Sequence, residues 1–266
     1  MKKNLLSLAA GILLVTACHK NAVTGKSSLS LVPESELITM SVGEYGKFLA
    51  EHPPMPVTDQ RVIMVKRVGS RIQKAVEDFY TNKNASNDLK GFDWEFNVVN
   101  EEAVNAWCMP GGKVVVYTGL LPVTQDENSL AVVMGHEIAH AVARHGNQRM
   151  SQQLLLQLGG TALSAAIAQK PAVTQQIFSQ VYGVSAQLGA LKYSRKHETE
   201  ADEMGLIFAA MGGYDPEAAI RFWERMAVAS GGNKPPEILS THPSDETRIA
   251  NLKNFMPEAK KYYRSQ

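Results

Sequence analysis

The sequence predicts an α+β fold, predominantly helical, with one small β-sheet. Three observations point there. Apolar and polar residues alternate around 94–98, and a Pro110-Gly111-Gly112 turn leads into the β-branched run 113–118. From Gly119 onward nearly every segment carries helical periodicity. At 44% hydrophobic and 20% charged, 266 residues hold one sizeable globular domain or at most two small ones, and a disordered chain is excluded.

The elements follow in order. Lys2 and Lys3 precede an apolar run from Leu5 to Val15, too short to span a bilayer at about 1.5 Å per residue but suited to the core of an export signal. It ends Val15-Thr16-Ala17-Cys18, which resembles the lipobox of bacterial lipoproteins, where the cysteine becomes the lipid-carrying N-terminus. The alternative is a plain signal peptide with an incidental cysteine. The expected layout is a signal peptide over 1–17, a lipidated cysteine and polar tether over 18–33, one domain over 34–256 and a tail over 257–266. With Cys18 acylated, Cys108 has no disulfide partner and reads as a small buried hydrophobe.

From Thr58, the apolar positions Val62, Val65, Val68, Ile72, Val76 and Phe79 recur at threes and fours, an amphipathic helix. Trp94, Phe96 and Val98 alternate with Glu95 and Asn97, and with the 113–118 run they read as strands of a hairpin. Helices are then expected near 126–145, 148–168, 172–194, 197–212, 216–229 and 244–254, with Asp215 capping the helix at Pro216. Leu154 to Ala168 is apolar but interrupted by Gln157 and a glycine pair, so it reads as a core helix.

The chemistry lies in Met134-Gly135-His136-Glu137-Ile138-Ala139-His140. On a helix the two histidines of His-Glu-x-x-His stand one turn and about 40° apart, which suits two imidazoles on one zinc ion. Glu137 points roughly 100° away from His136, too far round to be a ligand but near enough to take a proton from a zinc-bound water. Gly135, Ala139 and Ala143 leave room for a second helix. A third ligand is sought among Glu198, Glu200, Asp202 and Glu203. Glu198 and Asp202 share a helical face with Ala201 and Gly205, so Glu198 reads as ligand and Asp202 as the carboxylate that orients a ligand histidine. Glu200 and Glu203 read as solvated, and His19, His52, His145 and His197 as ordinary surface or packing residues.

Taken with Glu198-Thr199-Glu200-Ala201-Asp202 and with Thr241-His242-Pro243 followed by Arg248, these motifs resemble the gluzincin peptidases of the HtpX and CAAX prenyl protease type. The likeness is nearer to their soluble periplasmic branch, that of BepA and LoiP, and covers about residues 30–255. The resemblance implies a zincin-like fold around an active-site helix and one zinc ion per chain on His136, His140 and Glu198. It further implies Glu137 as general base and acid, Asp202 as support, and His242 near the metal, either blocking the water position or assisting the transition state. His242 and Arg248 are candidate oxyanion donors.

The expected function is a zinc endopeptidase acting on unfolded or misassembled cell-envelope proteins, with substrate paired along an exposed strand edge at 113–118. It is bound to the membrane through a lipid anchor only, facing the periplasm at the outer membrane. The rival is a zinc-stabilised chaperone or binding lipoprotein with latent peptidase activity. An aminopeptidase is disfavoured because no residue set suits a free amine. The balance of 27 basic and 26 acidic residues provides no field for nucleic acid.

Overall fold

The computed structural model describes residues 18–158, 171–182, 193–230, 238–242 and 246–264. The export signal, the end of the expected 148–168 helix and the 183–192 part of the 172–194 helix lie outside the described residues. Residues 18–33 are not a loose tether. Strands β1 (Cys18–Lys20) and β2 (Ser27–Leu29) pair antiparallel, and Asn21 and Val32 are buried against the domain. Helix α1 (Glu34–Glu51), absent from the sequence reading, buries Leu37, Ser41, Tyr45 and Phe48. A serine in that stripe, with Gly43 and Gly46 inside the helix, blurs its periodicity. Helix α2 (Gln60–Asn82) starts where the Asp59 side chain accepts from Arg61 N, and it buries all six predicted apolar positions.

Strands β3 (Glu95–Val99), β4 (Ala106–Met109) and β5 (Lys113–Tyr117) form a sheet in the order β3-β5-β4. The expected hairpin therefore has a different partner. β4 and β5 pair antiparallel across the glycine turn, where Gly111 and Gly112 take φ of +88° and +82°, while β3 runs parallel to β5. β5 is thus the central strand, which is why Val114, Val115 and Val116 are all fully buried and why its edge is closed to a substrate. The free edge nearest the site belongs to β4.

After the single-turn α3 (Leu121–Thr124) comes α4 (Glu127–Val142), started by Asp126 accepting from Ser129 N. Every residue from Ser129 to Val142 is buried, so α4 is the axis of the domain rather than an amphipathic surface helix. It stops earlier than the expected 145. Arg144, at φ +58°, turns the chain, and α5 (His145–Leu158) begins at once. Then follow α6 (Pro171–Tyr182), α7 (Arg195–Met211), α8 (Ala218–Ser230), α9 (Ile238–Thr241) and α10 (Glu246–Lys260). Asp215 caps the turn into α8, its side chain accepting from Glu217 N. α10 runs through Pro257, and Ala259 is fully buried, so the domain extends past the expected boundary at 256. No helix among the described residues is long and apolar enough to cross a membrane.

Candidate metal centre

The site forms where α4 and α7 touch. A Cβ on Gly135 would lie 2.8 Å from the carbonyl oxygen of Gly205, and one on Gly205 would lie 2.7 Å from the amide nitrogen of His136. The small residues at these positions allow backbone contact, and that contact sets Glu198 opposite the two histidines. Ser194 caps α7 by accepting from His197 N, which fixes the helix start one turn before Glu198.

His136, His140, Glu198 and His242 are all buried, and they present one donor atom each within 4.8 Å of one another. His136 Nε2 is 3.0 Å from His140 Nε2 and 3.1 Å from His242 Nδ1. Glu198 Oε1 is 3.0 Å from His242 Nδ1 and 3.4 Å from His140 Nε2, and Glu198 Oε2 is 3.5 Å from His136 Nε2. Tetrahedral donors at zinc–nitrogen distances of about 2.0–2.1 Å stand roughly 3.3 Å apart, so this nitrogen-rich set fits one zinc ion. Burial pulls the His136 imidazole down, yet Asp202 and Glu198 hold it at about 9. Burial likewise opposes ionisation of Glu198, but His242, His136 and His140 keep its carboxyl far below the usual range. The cage favours positive charge at its centre, as a cation site must.

Behind the donors lie two supporting chains. His136 Nδ1 meets Asp202 Oδ1 at 2.9 Å, which leaves Nε2 facing the other donors. Arg248 grips Asp202 bidentately at 2.8 and 2.7 Å, reaches Glu198 Oε2 at 3.1 Å and stacks over Trp223 at 3.5 Å. Its guanidinium stands behind the ligands and does not line the cleft, so the oxyanion role expected for it does not fit its position.

The second chain contains residues whose role the sequence reading missed. His145 Nδ1 is 2.9 Å from His140 Nδ1, and His145 Nε2 is 3.6 Å from Glu200 Oε2. A metal ion on His140 Nε2 would put the His140 proton on Nδ1, where His145 Nδ1 would accept it and turn its own Nε2 proton towards Glu200. Burial pushes His145 below its usual range, which keeps it neutral for this task. Glu200 is buried, not solvated, and accepts from Asn21 Nδ2 at 3.0 Å and from Thr24 Oγ1. His197 stacks on His145 with centroids 4.5 Å apart, and Tyr193 stacks on His140 at 3.9 Å. His145 and His197 are both buried rather than at the surface: His197 is a packing histidine, as one half of the expectation had it, and His145 also reaches His140.

Glu137 lies on the cleft side of α4. Burial raises its carboxyl, although His242 and His136 pull it back, and among the described residues its Oε1 has no hydrogen-bond partner. His242 Nε2 is 3.7 Å from that oxygen. The cleft is lined by Glu137, His242, Tyr193, Tyr182 and Arg149, with β4 along one wall. Cys108 on β4 is half-buried there, more open than expected. The motif residues His136, Glu137, His140, Glu198, Asp202, His242 and Arg248 are thus all brought to one place.

Residues 67–256 match the model of peptidase family M48. The chain is 39% identical over 195 residues to the mitochondrial metalloendopeptidase OMA1 of Arabidopsis thaliana, covering 73% of this chain and 38% of that protein. It is 32% identical over 254 residues to the human OMA1 metalloendopeptidase, covering 92% and 47%. With the beta-barrel assembly-enhancing protease of Escherichia coli it shares 33% over 165 residues, covering 60% and 34%. The chain spans about half the length, or less, of these relatives. Together with the buried donor set on α4 and α7, the match over most of the domain shows that the chain belongs to peptidase family M48.

Proposed function

We propose that this chain is a zinc endopeptidase that cleaves unfolded or misassembled proteins of the bacterial cell envelope. The observation that carries the peptidase reading is the meeting of the donor cluster, the buried Glu137 carboxyl and the β4 edge in one cleft. The envelope reading is supported by the export-type segment ending at Cys18 and by the likeness to a bacterial protease named for β-barrel assembly. In this reading Cys18 carries the lipid, and the domain faces the periplasm at the outer membrane.

A zinc ion held by His136, His140 and Glu198 would polarise the scissile carbonyl and acidify a water. Substrate backbone lies along β4. Because Tyr117 N donates to Asn105 O, alternation places the Ala106 and Cys108 backbone groups on the open side of the strand. Asn105 Oδ1 already takes the Ala106 N–H, so the outward donor is Cys108 N–H and the outward acceptors are the two carbonyls. Glu137 removes a proton from the attacking water and passes it to the leaving amine. Its raised carboxyl suits both halves of that transfer.

His242 favours a second state of the same site. Its Nδ1 stands among the donors, in the position that a catalytic zinc site keeps open. A histidine there would latch the enzyme, and this supports the rival reading of an envelope-binding or chaperone lipoprotein with latent activity. The test is degradation of an unfolded protein by the zinc-loaded full chain beside Glu137→Gln and His242→Ala forms. Cleavage that Glu137→Gln abolishes while zinc is retained supports the peptidase, and a rise in His242→Ala supports the latch. Turnover retained in pure Glu137→Gln would remove Glu137 from the mechanism. Equal rescue of an envelope defect by wild type and Glu137→Gln would favour the binding role.

A further inference from the structure

Arg149, on the second turn of α5, takes no part in the chemistry above. It is only 8% exposed, and among the described residues its Nε has no hydrogen-bond partner and no carboxylate forms an ion pair with it. What it does touch is the face of Tyr193, 4.4 Å from the ring centroid. The segments that flank this part of the chain, 159–170 and 183–192, contain no aspartate or glutamate. An arginine stays charged in any folded protein, and burying a charge without a counterion is costly, so a buried guanidinium that no carboxylate meets among the described residues is suited to a partner from outside. The ring of Tyr193 offsets part of that cost.

The position says which partner. Arg149 lines the same cleft as Glu137, His242 and the outer edge of β4, with Tyr182 and Tyr193 beside it. The neighbouring arginines behave differently: Arg144 reaches Glu34 and Asp88, and Arg248 is held by Asp202 and Glu198. Resting on the peptidase reading, we infer that Arg149 forms an anion subsite of the substrate cleft and binds a carboxylate of the peptide being cut. The planar guanidinium offers a two-pronged match to a carboxylate, which a neutral amide cannot return. That carboxylate comes either from an aspartate or glutamate side chain near the scissile bond or from the free C-terminus of the chain.

Two peptide pairs separate these sources. One pair has blocked ends and differs by Glu against Gln near the cleavage point; the other is neutral in sequence and differs by a free against an amidated C-terminus placed at successive distances. Binding is measured to the zinc-loaded Glu137→Gln full chain, where nothing is turned over, and kcat and KM are measured with Glu137 intact. The expected result is a preference of about tenfold or more for the carboxylate member of one pair, carried mainly by Kd and KM. The ratio should fall towards one in Arg149→Gln, survive in part in Arg149→Lys, and invert in favour of a lysine peptide in Arg149→Glu. Arg149→Lys keeps the cation, so a loss in Arg149→Gln caused by poor folding would be exposed by a matching loss of zinc affinity and thermal stability. A preference in the first pair assigns the side chain, and one in the second assigns the terminus. Peptides bound and cut with no carboxylate preference, or a preference untouched by Arg149→Gln, overturn the subsite while leaving the peptidase standing. Failure of every peptide to bind or be cut, in the His242→Ala form as well as with His242 in place, brings down the peptidase reading, and the subsite with it.

Discussion

Gly205→Ala should damage the metal centre more than it damages the fold. The added Cβ would stand 2.7 Å from His136 N and 2.9 Å from both Gly135 C and His136 Cα. All of these are backbone atoms of α4, so no rotamer change relieves the clash, and the helices must part by roughly 0.7 Å to reach ordinary contact. Overpacking of this kind costs about 1–3 kcal/mol, and exchanging a helical glycine for alanine returns about 1 kcal/mol, leaving a net loss of about 0–2 kcal/mol. Glu198 sits two turns earlier on the same helix, and its oxygens lie 3.0 Å from His242 Nδ1 and 3.4 Å from His140 Nε2. Metal sites tolerate about 0.2 Å of error in a ligand distance, so the shift should weaken zinc by about 10- to 100-fold. Competition against a chelator of known affinity measures that loss, and thermal melting of metal-free protein measures the fold. Zinc affinity within twofold of wild type, with melting unchanged, would refute the claim that this backbone contact sets the ligand position.

Other consequences follow from the same contacts. His145→Phe fills the space beneath His197 but cannot accept the His140 proton, so zinc affinity should drop about 10- to 100-fold by chelator competition while the metal-free melt stays near wild type. Arg248→Met leaves Asp202 and Glu198 buried without their guanidinium, and denaturant unfolding of metal-free protein should show a loss of about 3–5 kcal/mol. Asn21→Ala removes a donor from buried Glu200 and should cost about 1–3 kcal/mol in the same assay. No change would mean that residues 18–33 only rest against the domain.

The legible part of the site was that written in local spacing. His136 and His140, like Glu198 and Asp202, are one turn apart on single helices, so a helical wheel assigns their faces without knowing the fold. Resemblance, not spacing, brought in His242 and Arg248. The helical wheel failed at Glu200 because α7 has partners on two sides: α4 packs against Gly205, while the strand pair at the N-terminus covers Glu200. His145 was hidden by a backbone event, the positive φ at Arg144 that breaks one expected helix and turns the next back towards His140. Arg149 gave no signal because its distinction is a missing partner, which only tertiary structure reveals. Alternation marks β3 and a β-branched run marks β5, but β4 is four residues with neither, so the expected hairpin joins the wrong pair, and the three-residue β1 and β2 are too short to stand out from the polar stretch read as a tether.

That correction to the sheet carries its own test. With β5 buried between two neighbours, the edge that a substrate in the cleft can join is β4, and on β4 only alternate residues face outward. Proline is tolerated in an edge strand where the lost N–H pointed away from the sheet, and is disruptive where it pointed in. Cys108→Pro should therefore fold and bind zinc like wild type, because the Cys108 amide has no partner in β5 at its register with Val114. It should lose the one outward donor and lower kcat/KM by about 3- to 13-fold, the equivalent of about 0.7–1.5 kcal/mol for a hydrogen bond. Trp107→Pro, whose amide faces Val115 across the ladder, should fail to fold at all or melt far lower. Equal activity of Cys108→Pro and wild type on extended peptides would show that substrate does not lie along this edge. A matched loss of zinc from Cys108→Pro would show instead that the amide supports the metal centre. Only a fall in kcat/KM with the zinc site intact fits a strand whose open side is the peptide-binding rail.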